Sequence, residues 1–565
     1  MNVNYFFLLN IFISFLSATN YYVATSYGND TNNGTSINTP FKTIAKAASV
    51  MSSGDICYIR QGRYHETVTI NNLDGSSGSA IIFTNYNNER VIMDGTIPIT
   101  STWTQVGSSN IWRTKLSSDI WQLFLDWEEQ VMARWPNAKF SDNTIWDNDN
   151  YWAKGTIDDD ENAYSNGTII DDPYTNSAGT TINLSAAGFD LDETNKQAIA
   201  ILNLGSFRTW SRLVTSHSGN TFNYSTVPNW KTKHHYYFLE GRREFLDQAG
   251  EWWYDTYNNV DSLYYYANNG VDPNRLNFRG KVQSYAFSIT GSEYIQIKNI
   301  EFFGTTVYFS NGDNCVVYGC NFMYPSCSKR MLRTVDTEPE MTKFASGSTG
   351  SAIRNCAFRN TDGTALEMWG GTDTVDNCYF TNIDYSVADN SSIMLTMRMN
   401  GTANVFRKNT VHRTGASATV MVGDAGLVEY NNLYDTGHLQ SDGSMIQFME
   451  AQQDGAICRY NWLHDTEKYG ARFDHSGTAD GTNGTMHHNL AWNCESGGIM
   501  VKGDNHKVYN NTVLNSGSKN DIIVFQVNNG DHASSIIRNN AADKIANHRT
   551  NNVAIDFGTY TNNWN

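Results

Sequence analysis

One residue type recurs through the C-terminal half of the chain at intervals that a compact single-core domain does not show. An asparagine opens short apolar segments at eight places: Asn355, Asn377, Asn409, Asn432, Asn461, Asn489, Asn511 and Asn540. Successive members lie 22 to 32 residues apart. A repeat of this length, with one short β-rich run and a turn per unit, is typical of a solenoid, because no unit can bury its apolar face alone.

The fixed position of the asparagine indicates how the units stack. A side-chain amide both donates and accepts hydrogen bonds, so equivalent amides in successive coils can form a ladder. The chain has 44 Gly and only 8 Pro, which suits many tight turns, and the one short helical segment falls at residues 41–51. The sequence therefore predicts an all-β fold, a right-handed parallel β-helix over residues 286–565, with weaker upstream equivalents at Asn299 and Gly319.

The N-terminus has the pattern of a secretory signal peptide. Residues 6–15 are almost wholly apolar, and Leu16, Ser17 and Ala18 suit cleavage by a signal peptidase, although no Lys or Arg precedes them. The alternative is a buried N-terminal strand. We predict a signal peptide at residues 1–18 and a secreted, cell-surface or periplasmic protein. No later apolar run reaches the length of a membrane span.

Charge and cysteine content narrow the possible partners. The formal net charge is −17 and the pI about 5.2, which argues against a nucleic-acid partner, and a monomer is expected.

Export would permit disulfides, with Cys315 to Cys320 or Cys327 as the candidate bridge. Cys320, Cys356 and Cys378 each follow the ladder position and are expected to point into the core. No Cys or His cluster has zinc-ligand spacing.

The chain divides into three regions after the signal peptide. Residues 19–100 are expected to form a capping helix and the first β-helix coils. Residues 101–285 break the period and are dense in Trp, Tyr and acidic residues, which predicts an inserted or appended β-rich domain. Residues 286–565 form the regular solenoid.

Several segments resemble a known group of enzymes. They are the opening coils, QLFLD at 122–126, MARWPN at 132–137 and FLDQAGEWWYD at 245–255. They resemble secreted right-handed parallel β-helix enzymes that act on carbohydrates, in particular glycoside hydrolases of the xylosidase and fucosidase kind, which share the pectate-lyase-like superfold. The resemblance implies an exported carbohydrate-active enzyme. It supplies no catalytic motif that matches residue by residue, so no site residue is carried over from it.

Strand alternation in the solenoid predicts one outward-facing strip of polar residues. Leu366 and Met368 should face the core, so Glu367 and Trp369 should face out. The same reasoning, coil by coil, gives a strip of Glu367, Trp369, Arg398, Gln447, Arg472, Asp474 and Lys502. For each of these residues the alternative is an ordinary surface position, since outward residues of any soluble β-helix are polar. Asp474 beside Lys502 would then be a surface ion pair of little energetic value.

Three coils exceed the minimal length, and their extra residues favour a functional interpretation of the strip. The extra residues are 384–392, 438–444 and 475–484, which we expect in turns on one edge beside the strip. Long turns gathered in this way usually border a binding groove. They would bring His438, Asp442 and His475 to the strip, with Glu450 at the end of a neighbouring strand.

Glycoside hydrolysis needs two carboxyl groups across the scissile bond. Asp442 and Asp474 are the first candidate pair, with Glu450 and Glu367 as alternates. Arg472 would keep Asp474 ionised, as a nucleophile or base requires. The predicted substrate-binding residues are Arg398, His438, Gln447, Arg472, His475, Lys502 and Trp369. No metal or other cofactor is required for this chemistry, and the expected substrate is a poly- or oligosaccharide.

Two other functions use the same residues differently. A lyase acting on an anionic, uronate-containing polysaccharide would use Arg398, Arg472, Lys502 or His475, and a calcium ion held by Asp442, Glu450 or Asp454 is possible. A non-catalytic carbohydrate-binding or adhesive protein would use exposed aromatics such as Trp369, Trp462 and Trp492. Glycine loops for nucleotides and the Gly-x-Ser-x-Gly elbow are absent from the sequence, which argues against phosphoryl and acyl transfer.

Overall fold

The computed structural model describes residues 18–155, 166–205, 207–227, 235–255, 262–390, 395–475, 481–517, 521–524, 532–546 and 559–564. The predicted signal peptide, apart from its last residue, lies outside the described residues. No helix in the described part of the chain is long and apolar enough to cross a membrane.

Three long parallel sheets, here called sheets A, B and C, follow one another in that order within each coil. Sheet A contains Asn20–Val23, Ile56–Ile59, Ile81–Asn85, Ile295–Lys298, Val316–Tyr318, Ala352–Arg354, Thr374–Asp376, Val405–Arg407, Leu427–Glu429, Ile457–Arg459, Thr485–His487, Lys507–Tyr509, Ile536–Arg538 and Thr559–Thr561. Sheet B contains Gly62–Tyr64, Val91–Asp94, Glu301–Phe303, Asn321–Met323, Ala357–Arg359, Tyr379–Ile383, Thr410–Thr414, Asn432–Thr436, Trp462–Thr466, Leu490–Cys494, Thr512–Leu514 and Ala541–Ala542. Sheet C contains Val68–Asn71, Tyr285–Thr290, Thr306–Ser310, Thr342–Phe344, Leu366–Met368, Leu395–Met399, Ala418–Val422, Ser444–Met449, Tyr469–Asp474, Gly497–Val501, Ile522–Val524 and Ile545–Ala546. This is the parallel β-helix that the repeat predicts.

Inward side chains stack in columns along the solenoid axis. Phe302, Phe322, Phe358 and Phe380 of sheet B lie one above another, with neighbouring ring centroids 4.5, 4.6 and 4.9 Å apart. All four are essentially inaccessible to solvent. Like residues recur at one position because adjacent coils present the same surface to each other, and the stacked units bury one continuous core.

The asparagine ladder exists, but its register differs from the prediction. The inward column at the corner between sheets A and B is Asn409, Asn431, Asn461, Asn489, Asn511, Asn540 and Asn563. Each Nδ2 donates to the next Oδ1 at 2.9–3.2 Å. In the coil for which the sequence predicted Asn432 as the ladder residue, the ladder residue is Asn431, so that prediction was wrong by one residue.

The two upstream asparagines of the prediction occupy a different column. Asn355 and Asn377 have φ values of 55° and belong to the left-handed corner position that precedes the ladder. They form their own bond, from Asn377 Nδ2 to Asn355 Oδ1 at 2.7 Å. In these coils Cys356 and Cys378 take the inward place, and the Cys378 amide donates to Asn409 Oδ1 at 2.8 Å. Both positions favour asparagine, one for its αL tolerance and one for its amide, so sequence spacing alone could not separate them.

A pair of adjacent substitutions tests this register. Asn431→Ala removes a buried amide that bonds Asn409, Asn461 and the Phe406 carbonyl, so we expect unfolding free energy to fall by about 3 kcal/mol. Asn432→Ala, which loses only a contact with the His464 ring, should cost less than about 1 kcal/mol. Urea unfolding of both variants measures the difference. Equal losses would place the ladder elsewhere.

The predicted disulfide is absent. All eight cysteines are buried and free, including Cys315, Cys320 and Cys327. Their thiols act as small apolar side chains, and Cys320 and Cys356 contact each other through a weak bond from the Cys320 amide to the Cys356 sulfur, 3.4 Å long. Burial raises the pKa of the Cys315 thiol to about 12, which makes it unreactive.

A short helix closes the N-terminal end of the core. It spans Ile44–Ala48 and is capped by the Thr43 side chain, which accepts from the Lys46 amide. The Glu66 carboxylate accepts from the free amides of Ile44 and Ala45, both at 3.0 Å. Ile44, Ala47 and Ala48 are buried in the solenoid core, so a helix covers this end of the core.

Between the strand Val91–Asp94 of sheet B and the strand Tyr285–Thr290 of sheet C, the chain forms separate sheets, here called the insertion. The first sheet contains, in order, Glu128–Glu129, Leu123–Leu125, Phe278–Lys281 and Thr96–Pro98, and the second contains Val131–Met132, Glu251–Asp255, Ser262–Tyr266, Ile111–Lys115 and Thr104–Gln105. The third contains Arg134–Trp135, Tyr236–Glu240, Ile199–Gly205, Arg208–Ser218, Thr221–Tyr224 and Thr168–Ile170, with Ala153–Lys154 also paired to Tyr236–Glu240. The fourth is the pair Tyr174–Thr175 and Thr181–Ile182. The remaining described helices are Asn148–Tyr151 and Leu184–Ala187, with 3-10 turns at Thr144–Trp146, Arg243–Phe245, Pro273–Arg275, Arg330–Leu332 and Glu450–Gln453.

The insertion lies over the corner between sheets B and C. An apolar cluster joins Trp146, Ile199 and Phe238 of the insertion to Tyr385 and Leu439 of the solenoid turns. The Asn203 side chain also donates to the Leu439 carbonyl at 2.7 Å. The long turns of the solenoid therefore serve as the base on which the insertion rests.

A buried ion network ties the two parts together. Arg330 of the solenoid is 1% exposed. Its Nε lies 3.0 Å from Glu240 Oε2 of the insertion, and its Nη1 lies 2.9 Å from Asp362 Oδ2 of the solenoid. Burial by itself disfavours the charged guanidinium, but the two carboxylates reverse this effect and hold the pKa of Arg330 above its ordinary value. The junction is therefore electrostatically specific as well as apolar.

Candidate functional site

One row of outward residues crosses sheet C, as the strand alternation predicts. The strand register aligns Lys343, Glu367, Arg398, Met421, Gln447, Arg472 and Met500 in neighbouring coils. Glu367, Arg398, Gln447 and Arg472 therefore share one row. Met421 separates them into two charged clusters, because it is the outward residue of the coil between Arg398 and Gln447.

The first cluster is centred on Glu367. Its carboxylate accepts from the Trp369 indole nitrogen at 2.8 Å and lies 2.8 Å from Lys343 Nζ. Arg398 Nε lies 4.0 Å from the other carboxylate oxygen. Burial lowers the pKa of Arg398, with Glu367 and Glu338 acting in the opposite direction. Trp369 thus closes one side of an ion cluster and holds Glu367 in place.

The second cluster is centred on Arg472. Its Nη1 lies 2.7 Å from Asp442 Oδ1, its Nη2 lies 3.1 Å from Asp474 Oδ2, and its Nε donates to Gln447 Oε1 at 2.8 Å. Lys502 Nζ approaches the other oxygen of Asp474 to 2.6 Å. One guanidinium therefore bridges the two carboxylates that the sequence nominates, and a second cation fixes one of them.

Electrostatics keep Asp474 ionised. Burial would raise the pKa of Asp474, but the charges of Arg472 and Lys502 outweigh burial and hold that pKa below its ordinary value. Burial likewise opposes the charge of Arg472, and the two aspartates hold the pKa of Arg472 above its usual range. An ionised carboxylate in a partly desolvated setting has the properties of a nucleophile, a base or an electrostatic stabiliser.

The strip is less exposed than alternation alone implied. Glu367 is 1% exposed and Asp474 9%. The turns bordering the strip hold the insertion close to it. Asp389 accepts from the Ser211 amide at 2.8 Å, and Gln440 donates to the Thr209 hydroxyl at 2.9 Å. The expectation that these side chains face bulk solvent was therefore wrong, because ion-pair partners from neighbouring coils, Lys343 at Glu367 and Lys502 at Asp474, pack against them.

The long turns do not gather on one edge. Residues 384–390 and 437–443 connect sheet B to sheet C, whereas residue 475 and residues 481–484 connect sheet C to sheet A. Residues 391–392 and 476–480 of the predicted turns lie outside the described residues. The turns flank sheet C from both sides, so the single-edge arrangement was incorrect although each turn adjoins the strip.

His438 does not enter the strip. Its Nε2 bonds Asp435 Oδ1 at 2.9 Å, and its ring meets the edge of Trp146 with centroids 6.3 Å apart. Gly437 has a φ of 81°, and the following turn directs His438 toward the insertion on the sheet B side. The predicted role of His438 in substrate binding at the strip is not compatible with this placement.

Two further predicted residues lie close to Asp474. The backbone amide of buried His475 donates to Asp474 Oδ1 at 3.0 Å. Glu450 directly follows Met449, which pairs with Asp474, and begins a 3-10 turn. The described residues contain no group of three His, Cys, Asp or Glu side chains that could hold a metal ion. Asp454, a suggested calcium ligand, accepts from the Asn483 side chain at 3.1 Å.

A cavity of about 550 Å³ lies outside the strip, where the insertion meets the solenoid; we call it the junction pocket. Its lining residues are Glu128, Glu129, Gln130, Val131, Lys139, Phe140, Ser141, Asn143, Trp146, Gln248, Ala249, Gly250, Glu251, Tyr324, Asn360, Asn382 and Tyr385. The nominated catalytic residues do not appear among them. The segments that carry the family resemblance run beside this pocket, at 122–137 and 245–255. That resemblance was the signal in the sequence that pointed to this region. Because these segments do not repeat, the sequence could not show which of their side chains face the pocket.

The pKa values of two carboxyl groups that line the junction pocket are strongly raised. Burial raises the pKa of Glu129 to about 8, against hydrogen bonds from Tyr385 and Gln122 that lower it. Burial also raises the pKa of Glu251 to about 8, although the Gln248 amide opposes this. Both groups therefore carry a proton at neutral pH in the absence of a bound partner.

These acids predict that stability falls as pH rises. The unfolded chain releases the protons near the ordinary value of 4.5, whereas the folded chain retains them to about 8. Folding stability should therefore decline between these values and level off above them. Glu251→Gln should remove part of the decline, about 1 kcal/mol for each pH unit. Thermal unfolding across this range, with Glu244→Gln as an exposed control, measures it. A variant that tracks wild type at every pH would contradict the assignment.

Comparison with known proteins establishes the handedness of the fold. Residues 344–513 match the family model described as "Right handed beta helix region". A curated relative, the uncharacterised protein YwoF of Bacillus subtilis (strain 168), is 41% identical over 68 residues, which is 12% of this chain and 14% of that protein. The solenoid is thus a right-handed parallel β-helix, as the sequence predicts.

Solved structures extend the similarity to the whole chain. A glycoside hydrolase is similar over 97% of this chain and 96% of its own, with a TM-score of 0.60 and 14% identity. The structure of XylC with xylose is similar over 93% of this chain and 76% of its own, with a TM-score of 0.44 and 12% identity. The first of these similarities shows that the insertion and the solenoid together form a known overall fold.

Proposed function

We propose that this chain is an exported glycoside hydrolase that cleaves a poly- or oligosaccharide at the sheet C strip. The observation that carries the proposal is the arrangement of Asp474. It is ionised between Arg472 and Lys502, and Arg472 also holds a second carboxylate, Asp442. The similar fold of a glycoside hydrolase over nearly the full chain supports the same reaction class. Two carboxyl groups with unequal environments are what glycosidic hydrolysis requires.

Asp474 is assigned the role of nucleophile or base. The charges of Arg472 and Lys502 hold the pKa of Asp474 below its ordinary value, against the effect of burial, so it is ionised at neutral pH, and the same cations fix its orientation. An ionised carboxylate also stabilises the positive charge that develops on the sugar ring in the transition state. Glu367 and Glu450 are the alternates if Asp474 proves structural.

Asp442 is assigned the role of proton donor. Arg472 Nη1 donates a hydrogen bond to Asp442 Oδ1 at 2.7 Å in this structure. A sugar hydroxyl that accepts the Arg472 hydrogen bond in its place would weaken this contact and allow Asp442 to bind a proton. Substrate binding and acid activation are then linked through one guanidinium. Arg398, Gln447 and Lys502 orient the sugar chain along the row.

A lyase acting on a uronate polysaccharide is the second candidate. The specific observation in its favour is the number of cations on the outward side of sheet C, namely Lys343, Arg398, Arg472 and Lys502. These could neutralise a substrate carboxylate, as elimination requires. Of the candidate bases for elimination, Arg472 and Lys502 are both engaged by the Asp474 carboxylate, which is why hydrolysis is preferred.

A glycan panel separates the candidate functions. Purified protein is incubated with neutral and uronate-containing polysaccharides, and new reducing ends and the absorbance of unsaturated uronates are recorded together. Hydrolysis yields reducing ends without the absorbance, whereas a lyase yields both. Binding of a glycan with neither signal would indicate a non-catalytic binding protein. Asp474→Asn serves as the matched inactive control.

A further inference from the structure

The junction pocket has the construction of a binding site of its own. Its walls come from three segments of the insertion, at 128–131, 139–146 and 248–251, and from the solenoid residues Tyr324, Asn360, Asn382 and Tyr385. Pockets of this volume are typical of small-molecule sites. The pocket lies on the sheet B side of the corner that the insertion covers, while the strip lies on sheet C.

Buried carboxyl oxygens in the pocket lack partners. Glu251 is 1% exposed. Its Oε2 accepts from the amides of Asp247 and Gln248, both at 3.0 Å, while its Oε1 has no hydrogen-bond partner. Glu129 Oε1 accepts from Tyr385 at 2.5 Å and from Gln122 at 2.7 Å, while its Oε2 has no partner. Because each of these groups carries a proton and its other oxygen already accepts two hydrogen bonds, the unpaired oxygen bears the O–H. An unpaired buried O–H is costly, so each is a position that favours an acceptor from a ligand.

The rest of the lining limits the chemistry of that ligand. With Glu129 and Glu251 protonated, Glu128 and Lys139 are the charged lining residues and their charges offset, which favours an uncharged ligand. A purely apolar ligand would leave the carboxyl oxygens unpaired. The rings of Phe140 and Trp146 offer flat apolar surface beside these polar groups. A molecule with several hydroxyl groups and apolar C–H faces meets both conditions, because a hydroxyl oxygen accepts hydrogen bonds as well as donating one.

We propose that the junction pocket binds one or two neutral sugar units, with hydroxyl groups hydrogen-bonded to the carboxyl groups of Glu129 and Glu251 and a ring face packed on Trp146 or Phe140. The choice of a sugar as ligand rests on the proposed function, but the site is separate from the strip. Binding here would hold a saccharide across the joint between insertion and solenoid. The pocket is then a second carbohydrate site on the same molecule.

The test is calorimetric titration with methyl β-D-xyloside, methyl α-L-fucoside and methyl β-D-glucoside, and with glucosamine to detect a preference for a cation. Wild type should bind at least one neutral glycoside. Ala249→Trp, which fills the pocket without removing a charge, should abolish that binding. Glu129→Leu, which removes the hydrogen-bonding group at similar side-chain size, should weaken it by about tenfold. Thermal unfolding verifies that both variants are folded.

A strip variant provides the matched comparison. Asp474→Asn should bind the glycoside as wild type does, because Asp474 lies outside the pocket. Binding that is lost in Asp474→Asn and retained in Ala249→Trp would overturn the proposal, as would no binding at tens of millimolar or binding of glucosamine alone. The two proposals fail separately. Cleavage of a glycan without binding in the junction pocket would overturn only the proposed second carbohydrate site. Binding in the junction pocket without cleavage of any glycan would overturn only the proposed hydrolase function.

Discussion

Asp474→Asn is expected to reduce turnover of the saccharide substrate by roughly a thousandfold or more, because an amide cannot act as nucleophile or base. The substitution preserves the size and shape of the side chain. Lys502 and Arg472 then lose the charge that they surround, at 2.6 and 3.1 Å. Initial rates at saturating substrate measure the effect, and KM should change much less than kcat.

Stability must be followed in the same variant. Since Asp474 is largely buried between two cations, Asp474→Asn is expected to lower the unfolding free energy by about 1–3 kcal/mol. Asp465→Asn is the matched control, because Asp465 is an exposed carboxylate with a side chain 50% accessible on a neighbouring sheet. It should retain wild-type turnover. A folded Asp474→Asn enzyme with wild-type kcat would show that the residue is structural.

Arg330→Leu is expected to lower the unfolding free energy by about 3–5 kcal/mol, because it leaves two buried carboxylates without their cation. Glu240 and Asp362 are both nearly inaccessible, and Arg330 contacts them at 3.0 and 2.9 Å. Glu240 belongs to the insertion, so the loss should also loosen the joint between the two parts. Denaturant unfolding and limited proteolysis of the insertion report the two effects.

The partner substitutions control this prediction. Combining Arg330→Leu with Glu240→Gln and Asp362→Asn removes the uncompensated charges, so it should recover a substantial part of the lost stability. A full loss in the triple variant would mean that packing around Arg330, and not charge, carries the effect. Little loss in the single variant would mean that the ion network contributes nothing to the junction.

The solenoid was readable from the sequence because its signals repeat. The asparagine spacing gave the fold, and alternation placed Glu367, Arg398, Gln447 and Arg472 on one row without any structure. Pairing of Asp474 with Lys502 followed from counting residues after Asn461 and Asn489. The ladder register failed at Asn355 and Asn377, because the αL corner and the inward position both accept asparagine and are adjacent in the chain. It failed by one residue at Asn432, because Asn431 and Asn432 are consecutive asparagines and Asn431 is the inward one.

The insertion was not readable in the same way. Its strands pair across long sequence separations, as when Thr96–Pro98 meets Phe278–Lys281. No period relates them, so the junction pocket with Glu129 and Glu251 could not be derived. The direction of His438 depended on a glycine-containing turn and on contact with Trp146, which again belongs to the insertion. Strand alternation and repeat spacing therefore identified the candidate site residues, but they could not show which residues of the insertion lie around the site.

The central claim is that Asp474 acts directly on the sugar, and chemical rescue tests it most directly. Asp474→Ala creates space for a small anion beside Arg472 and Lys502. The account predicts that azide restores turnover of an activated aryl glycoside by this variant and that NMR detects a glycosyl azide among the products. A wild-type rate in Asp474→Ala, or a folded but inactive variant that azide neither accelerates nor converts to a glycosyl azide, would contradict it.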